Sequence, residues 1–250
     1  MESVRVDGDA IVAYEEHGEG PPVVLLHGVP GTARHMRMLA RHLRRDHRVI
    51  AFDLPGFGSS TPLDDPTLEH HADRVLAAMA SMGLEEVRLV GHSIGAVVAA
   101  AVALQGPYQV ESLSLLACIG ARPHDSLRNS GIPFQDLAER FDGPDREAAL
   151  DEAEAHFQRI QFTGMTRGEC EQAIRFIHLL DFAAVPEMLQ RLSVPTMVAF
   201  ADDDASIEPE IRDVLRRWAP PGLRLRWPTG GHSIQRTRAR EIADGLRSMV

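Results

Sequence analysis

With 250 residues, 44% of them hydrophobic, the chain is long enough to bury a full core as one domain carrying an insertion. A net charge of −10 argues against nucleic acid or an anionic membrane surface as partner, because both select a basic face. All 26 basic residues are arginine and none is lysine, which excludes Schiff-base and lysine-base chemistries.

In chain order, segments 4–7 and 11–17 read as a hairpin turning at Asp7-Gly8-Asp9. Six further strands are predicted at 23–27, 49–53, 87–91, 113–117, 196–201 and 223–227. Helices fall between them at 32–45, 67–82, 93–105, 208–218 and 236–249, the pattern of a mostly parallel sheet with crossover helices. His70-His71, at the start of the second helix, reads as a solvated pair rather than a metal site. The regular spacing breaks after Ala117. About 75 residues separate it from the next strand, where a crossover needs only about a dozen. Helical periods at 145–161 and 166–180 make this interval an ordered insertion. Six of the nine phenylalanines lie in it: Phe134, Phe141, Phe157, Phe162, Phe176 and Phe182. Most of them pack the insertion's own helices, and a few are expected to face the crevice at the strand ends, where open α/β sheets bind ligands.

The most informative stretch is Gly91-His92-Ser93-Ile94-Gly95, a G-x-S-x-G between a strand-like run and an Ala/Val-rich helix. A strand that turns into a helix within one residue forces that residue into a strained conformation. Glycines at 91 and 95 then relieve the crowding, and the Ser93 hydroxyl stands above the sheet as a candidate nucleophile. A serine hydroxyl needs a base and an orienting acid, which in such enzymes follow it in the order acid, then histidine. Asp202-Asp203-Asp204 follows one predicted strand, and Gly230-Gly231-His232 follows the next. His232 is the candidate base. Three adjacent aspartates repel one another, so at least two of them belong to solvent.

Together these motifs give a chain that resembles the α/β-hydrolase superfamily over essentially its full length. It looks most like the small cap-bearing serine hydrolases, the esterases, lactonases and cofactor-free haloperoxidases. His27-Gly28-Val29-Pro30-Gly31 is similar to the family's oxyanion loop, and the run from Asp53 to Ser60 matches its D-x-P-G-x-G-x-S turn. Gly91 to Gly95 is the elbow, and Gly231-His232 the terminal G-H. The resemblance implies an eight-stranded, mostly parallel sheet with flanking helices and a helical cap inserted after strand six. The core would then be 1–120 and 191–250, and the cap 121–190. It makes Asp204 the acid, with Ala201 where the family carries glycine, and Asp203 the next choice; Cys118-Ile119-Gly120 offers no carboxylate one strand earlier. It assigns the oxyanion donors to the backbone N–H groups of Val29 and Ile94. His27 is expected to brace that loop and to border the substrate pocket with Phe134, Phe141 and Phe162. His92 is expected to pack beside the elbow without acting as a second base.

Within the superfamily, epoxide hydrolases and haloalkane dehalogenases have an aspartate where Ser93 stands. The cap tyrosines of the former have no counterpart, since Tyr14 and Tyr108 both lie outside the insertion. Hydroxynitrile lyases of this type use a lysine. Proline iminopeptidase relatives carry tryptophan where this chain has Ile94, and carbon–carbon bond hydrolases carry asparagine where it has His92. The expectation is therefore a serine hydrolase of a small ester or lactone, needing no metal or organic cofactor. Carbon–carbon bond cleavage, perhydrolysis and a non-catalytic small-ligand receptor are the alternatives. A receptor would form a stable acyl adduct without turnover. Cys118 and Cys170 are too few for a disulfide scaffold and read as free thiols of a reducing cytoplasm. No apolar run reaches the roughly 18 residues of a membrane span, and residues 1–10 are too polar for a signal peptide.

Overall fold

The β-branched and leucine-rich runs form one eight-stranded sheet in the order β1-β2-β4-β3-β5-β6-β7-β8. The computed structural model describes residues 1–106, 110–159 and 164–249. The strands are β1 (Glu2–Asp7), β2 (Ala10–His17), β3 (Pro22–Leu26), β4 (Arg48–Phe52), β5 (Val87–His92), β6 (Val110–Leu116), β7 (Thr196–Ala201) and β8 (Arg224–Trp227). β1 and β2 pair antiparallel with each other, and β2 with β4. Every later pairing is parallel. Strands β5 and β7 are buried along their whole length, as strands covered by helices on both faces must be. The strand order reverses at β3–β5, with Leu26 opposite Gly91. That reversal opens a crevice at the carboxyl ends of both strands, where such sheets place their ligands.

Around the sheet lie α1 (Arg37–Leu43), α2 (Leu68–Ser81), α3 (Ile94–Gln105), α9 (Pro209–Trp218), α10 (Ile234–Thr237) and α11 (Ala239–Arg247). Helix α3 is apolar all round and almost wholly buried, which its run of Ala and Val allows. Between β6 and β7 run α4 (Asp125–Arg128), α5 (Phe134–Arg140), α6 (Arg146–Arg159), α7 (Arg167–Leu179) and α8 (Val185–Gln190). Residues 160 and 161 of the helix predicted at 145–161 lie outside the described residues. No helix among the described residues is long and apolar enough to cross a membrane.

Three local expectations need correcting. The helix expected at 32–45 opens as a 3-10 turn over Ala33–Met36, because the Ala33 N–H is held by the Asp53 carboxylate at 2.7 Å. The helix expected at 236–249 breaks at Arg238. There Thr237 Oγ1 donates to the Gly230 carbonyl at 2.7 Å and the Arg238 guanidinium to the Thr229 carbonyl, which ties the first turn to the glycine loop. His71 is no solvated residue. It is fully buried and stacked on Phe176 of α7 (centroids 4.0 Å apart), because its position on α2 faces the insertion.

Candidate active site

Ser93 joins β5 to α3 with φ +55° and ψ −124°, a conformation that L-residues adopt only when the surroundings compel it. The surroundings here are backbone. A Cβ on Gly91 would press into Gly95 and Ala96, and one on Gly95 into the His27 carbonyl. The Ser93 N–H donates to the Leu116 carbonyl at 2.9 Å, which anchors the turn to β6. The hydroxyl, in a residue only 8% exposed, thus stands at the amino end of α3 at the floor of the crevice.

His232 Nε2 lies 3.1 Å from Ser93 Oγ, and its Nδ1 lies 3.0 Å from Asp204 Oδ2. An ionised carboxylate only accepts, so Nδ1 carries the proton and Nε2 is free to accept from the serine. The Asp204 side chain is closed off from solvent. Its second oxygen accepts the Ser206 N–H at 2.8 Å. Burial works against the charged carboxylate. The hydrogen bond and charge of His232, the Ser206 N–H and Arg212 outweigh it, and the pKa stays below the usual carboxylate range.

The other two aspartates are occupied elsewhere. Asp203 accepts the Gly231 N–H at 2.7 Å and so shapes the histidine loop, and Asp202 pairs with Arg226 at the surface. His92 donates from Nε2 to the His232 carbonyl at 2.9 Å. Burial pushes its pKa down to about 3, which keeps it neutral around neutral pH.

Gly28 brings the loop after β3 against the elbow, since a Cβ there would sit 2.9 Å from Ser93 Cβ. The Ile94 N–H opens α3 and has no intrahelical acceptor. The Val29 N–H makes no hydrogen bond among the described residues. His27 holds this loop from below. Its Nδ1 donates to the Gly28 carbonyl at 2.8 Å, and its Nε2 accepts the Leu54 N–H at 2.9 Å. Burial lowers its pKa to about 4.

Above Ser93 opens a cavity of about 350 Å³, at the small end of ligand-pocket sizes. Ile119, Ile132, Phe134, Phe157, Ile177 and Phe182 form most of its apolar wall. Of the residues expected to border it, Phe134 does, and Val29 of the oxyanion loop lines it too. His27 does not, because its ring is wholly buried and both nitrogens are engaged beneath the loop. Phe141 does not either, since it is packed inside the insertion with the Arg175 guanidinium over its ring. Phe162 lies outside the described residues. Phe157 and Ile177 were missed, although each ends an i, i+3, i+7 apolar stripe (Leu150-Ala153-Phe157 and Cys170-Ala173-Ile177) that could have marked them. Nothing in the sequence near His124, which also lines the cavity, marks it. Its Nδ1 meets Glu208 at 3.1 Å across the start of the insertion. Among the described residues no group of three or more His, Cys, Asp or Glu is placed to hold a metal ion.

The family model described as "alpha/beta hydrolase fold" matches residues 21–184. A putative carbamate hydrolase RutD from Azorhizobium caulinodans is 26% identical, covering 91% of this chain and 90% of its own. An (E)-2-((N-methylformamido)methylene)succinate hydrolase from Acinetobacter baylyi is 30% identical, over 49% of this chain and 47% of its own. Among solved structures, a thermophilic esterase from Thermogutta terrifontis superposes with a TM-score of 0.78 at 25% identity, covering 99% of this chain and 97% of its own. The fold, the strand order around the crevice and a family match over most of the chain agree, and this protein belongs to the alpha/beta hydrolase fold family.

Proposed function

We propose that the protein is a serine hydrolase of small carboxylic esters or lactones, working through Ser93, His232 and Asp204. The observation that carries this reading is the continuous hydrogen-bonded line from Ser93 Oγ to Asp204 Oδ2, set at the floor of a largely apolar cavity. His232 Nε2 takes the serine proton as Oγ attacks the carbonyl carbon, and Asp204 holds the imidazole in the tautomer this needs. The Val29 and Ile94 N–H groups hold the oxyanion as the tetrahedral intermediate forms. Its collapse expels the alcohol, which leaves with the proton from His232. Water then attacks the acyl-serine by the same steps and releases the acid.

In this reading residues 1–120 and 191–250 carry the chemistry, and the 121–190 cap sets which acyl groups fit. The substrate is a free small molecule, with no nucleic acid or membrane partner and no metal or organic cofactor. Two buried free thiols suit a cytoplasmic protein.

The relative named as a carbamate hydrolase supports a second substrate class, because a carbamate carbonyl presents the same centre with nitrogen in place of carbon or oxygen. The test is turnover of 4-nitrophenyl esters, lactones and alkyl carbamates, with Ser93→Ala as control. A fluorophosphonate probe is expected to label Ser93 alone, and Ser93→Ala to lose about 10⁴-fold in kcat while remaining folded. Labelling at Ser59, Ser60 or Ser233 would overturn the assignment. A stable acyl adduct without turnover would make the protein a receptor.

A further inference from the structure

The cavity above Ser93 has a charge pattern opposite to that of the chain. The protein holds 36 acidic residues and a net charge of −10, yet among the described residues no aspartate or glutamate lines this cavity. One arginine does, Arg236, in the short helix that follows His232. It is exposed, which places it at the rim. Its guanidinium makes no ion pair among the described residues, whereas Arg238, two positions on, is bound to Thr229 and Glu241.

Beside it Gln235 is 1% exposed and also lines the cavity. Its side chain makes no hydrogen bond among the described residues, and its Oε1 is buried without a donor. Oε1 is an acceptor and calls for a donor, which a carboxylate is not; the half of the amide left for an anion is its NH2, which has no partner among the described residues either. The Gln235 NH2 and the Arg236 guanidinium are both donors, adjacent in the chain and on the wall of one cavity, with no carboxylate there to neutralise them. That is the chemistry of a carboxylate seat.

We propose that Gln235 and Arg236 form an anion subsite, so that the preferred substrate is an ester or carbamate carrying a carboxylate away from its scissile carbonyl. This rests on the acyl-hydrolase reading above and narrows its substrate class.

The experiment compares kcat/KM within two matched pairs. Mono(4-nitrophenyl) adipate against 4-nitrophenyl hexanoate places the carboxylate on the acyl side. The pair 4-acetoxybenzoate and 4-tolyl acetate places it on the leaving group. In at least one pair the charged ester is expected to be favoured about 10-fold, as a charge-assisted contact at a partly exposed site supplies. The preference shrinks between 50 mM and 500 mM NaCl as about 14 Å of screening length falls to about 4 Å. Arg236→Met is expected to lower the charged-to-neutral ratio about 10-fold, mainly through KM, and Arg236→Glu to bring it below one. Gln235→Leu lowers it less, and Arg240→Met, on the exposed face of α11, leaves it in place.

Ratios at or below one in both pairs, or a ratio that Arg236→Met does not move, would overturn the subsite. Failure of the acyl-hydrolase reading itself has a separate signature: no turnover of any ester, neutral or charged. Binding then decides the subsite alone. The Ser93→Ala protein is titrated with mono(4-nitrophenyl) adipate and 4-acetoxybenzoate, with and without Arg236→Met. A tenfold weakening by that change upholds the subsite, and no binding or no change overturns it.

Discussion

Below and above Ser93 the molecule is held together in two different ways. Beneath it the elbow is set by main chain. Gly91 and Gly95 admit the Ala96 backbone and the His27 carbonyl, Leu116 ties down the Ser93 N–H, and buried strands supply the floor. Above it the insertion's helices pack through buried apolar side chains such as Leu137, Phe141, Leu150 and Ile174, with arginine–carboxylate pairs around them. Arg140 reaches Asp136, Asp145 and Glu152, and Arg175 reaches Asp142 and Glu171. Exposed pairs of this kind contribute about 0–1 kcal/mol each and weaken with salt, whereas a backbone-built turn has no side chain to lose. The contrast teaches that main chain sets position around Ser93, whereas exchangeable side chains set it in the insertion.

The sharpest way to break that comparison is at Asp204. Asp204→Asn is expected to keep the fold and lower kcat by about 10²–10⁴, because the amide no longer holds Nδ1 protonated. Asp202→Asn, at the surface pair with Arg226, should cost less than about tenfold by the same assay. Equal losses at both positions would mean that the loop, and not one carboxylate, sets the histidine.

The insertion is expected to answer differently. Each methylene buried against its apolar wall is worth about 0.8 kcal/mol, or roughly fourfold in kcat/KM, until the cavity is full. Phe182→Ala and Phe157→Ala should therefore move the acyl-length optimum of a 4-nitrophenyl ester series towards longer chains. They should alter turnover of the acetate by less than about threefold. An acyl-length profile that is flat and stays flat in both variants would reduce the insertion to a structural lid.

The smallest expected effect lies where the two regions meet. His71 is buried against Phe176, and neither ring nitrogen has a hydrogen-bond partner among the described residues. Burial holds its pKa at about 3, against about 6.5 in an unfolded chain. The unfolded state therefore binds the extra proton, and stability falls as pH drops from 6.5 towards 3, by up to about 1.4 kcal/mol per unit for this one group. His71→Leu is expected to stabilise the protein by about 1 kcal/mol at neutral pH, since it removes unsatisfied polar atoms, and to flatten the acid limb. Denaturant midpoints at pH 7 and pH 5 measure both. A variant less stable than the parent at both pH values would show that the ring packs better than leucine does.

The same division decides what the sequence made legible. The elbow, the oxyanion loop and the glycine-flanked His232 follow from constraints on backbone shape, and such constraints leave short readable spacings. The choice of Asp204 over its two neighbours is of another kind. Asp202, Asp203 and Asp204 differ only in what they meet across the loop, and those partners (Arg226, Gly231 and His232) lie more than twenty residues away. The cavity wall was the least legible part. Phe141 and Phe157 are each one phenylalanine on an amphipathic segment. Which of them reaches the cavity depends on how the insertion's helices pack together, and helix packing angles leave little trace in local sequence. His71 misled for a related reason. Its neighbour His70 faces solvent, and only the arrival of α7 covers the other.

The insertion also touches the core at points far from its two covalent joins. Glu169 accepts the Gly58 N–H at 2.9 Å. Gln172 exchanges two bonds with the Leu63 backbone, while beside the first join Glu208 receives the Asp125 N–H at 2.6 Å and meets His124. A flap hung from two strands can swing about the line joining them, but one pinned at a third point off that line has no hinge axis left. Traffic through this enzyme is then a matter of a fixed doorway. A bulky ligand is then expected to be limited by the width of the opening beside His35 and Arg236, which line the cavity, and not by the timing of a closure. Widening that doorway by one side chain should speed both arrival and departure and leave their ratio, the affinity, nearly where it was.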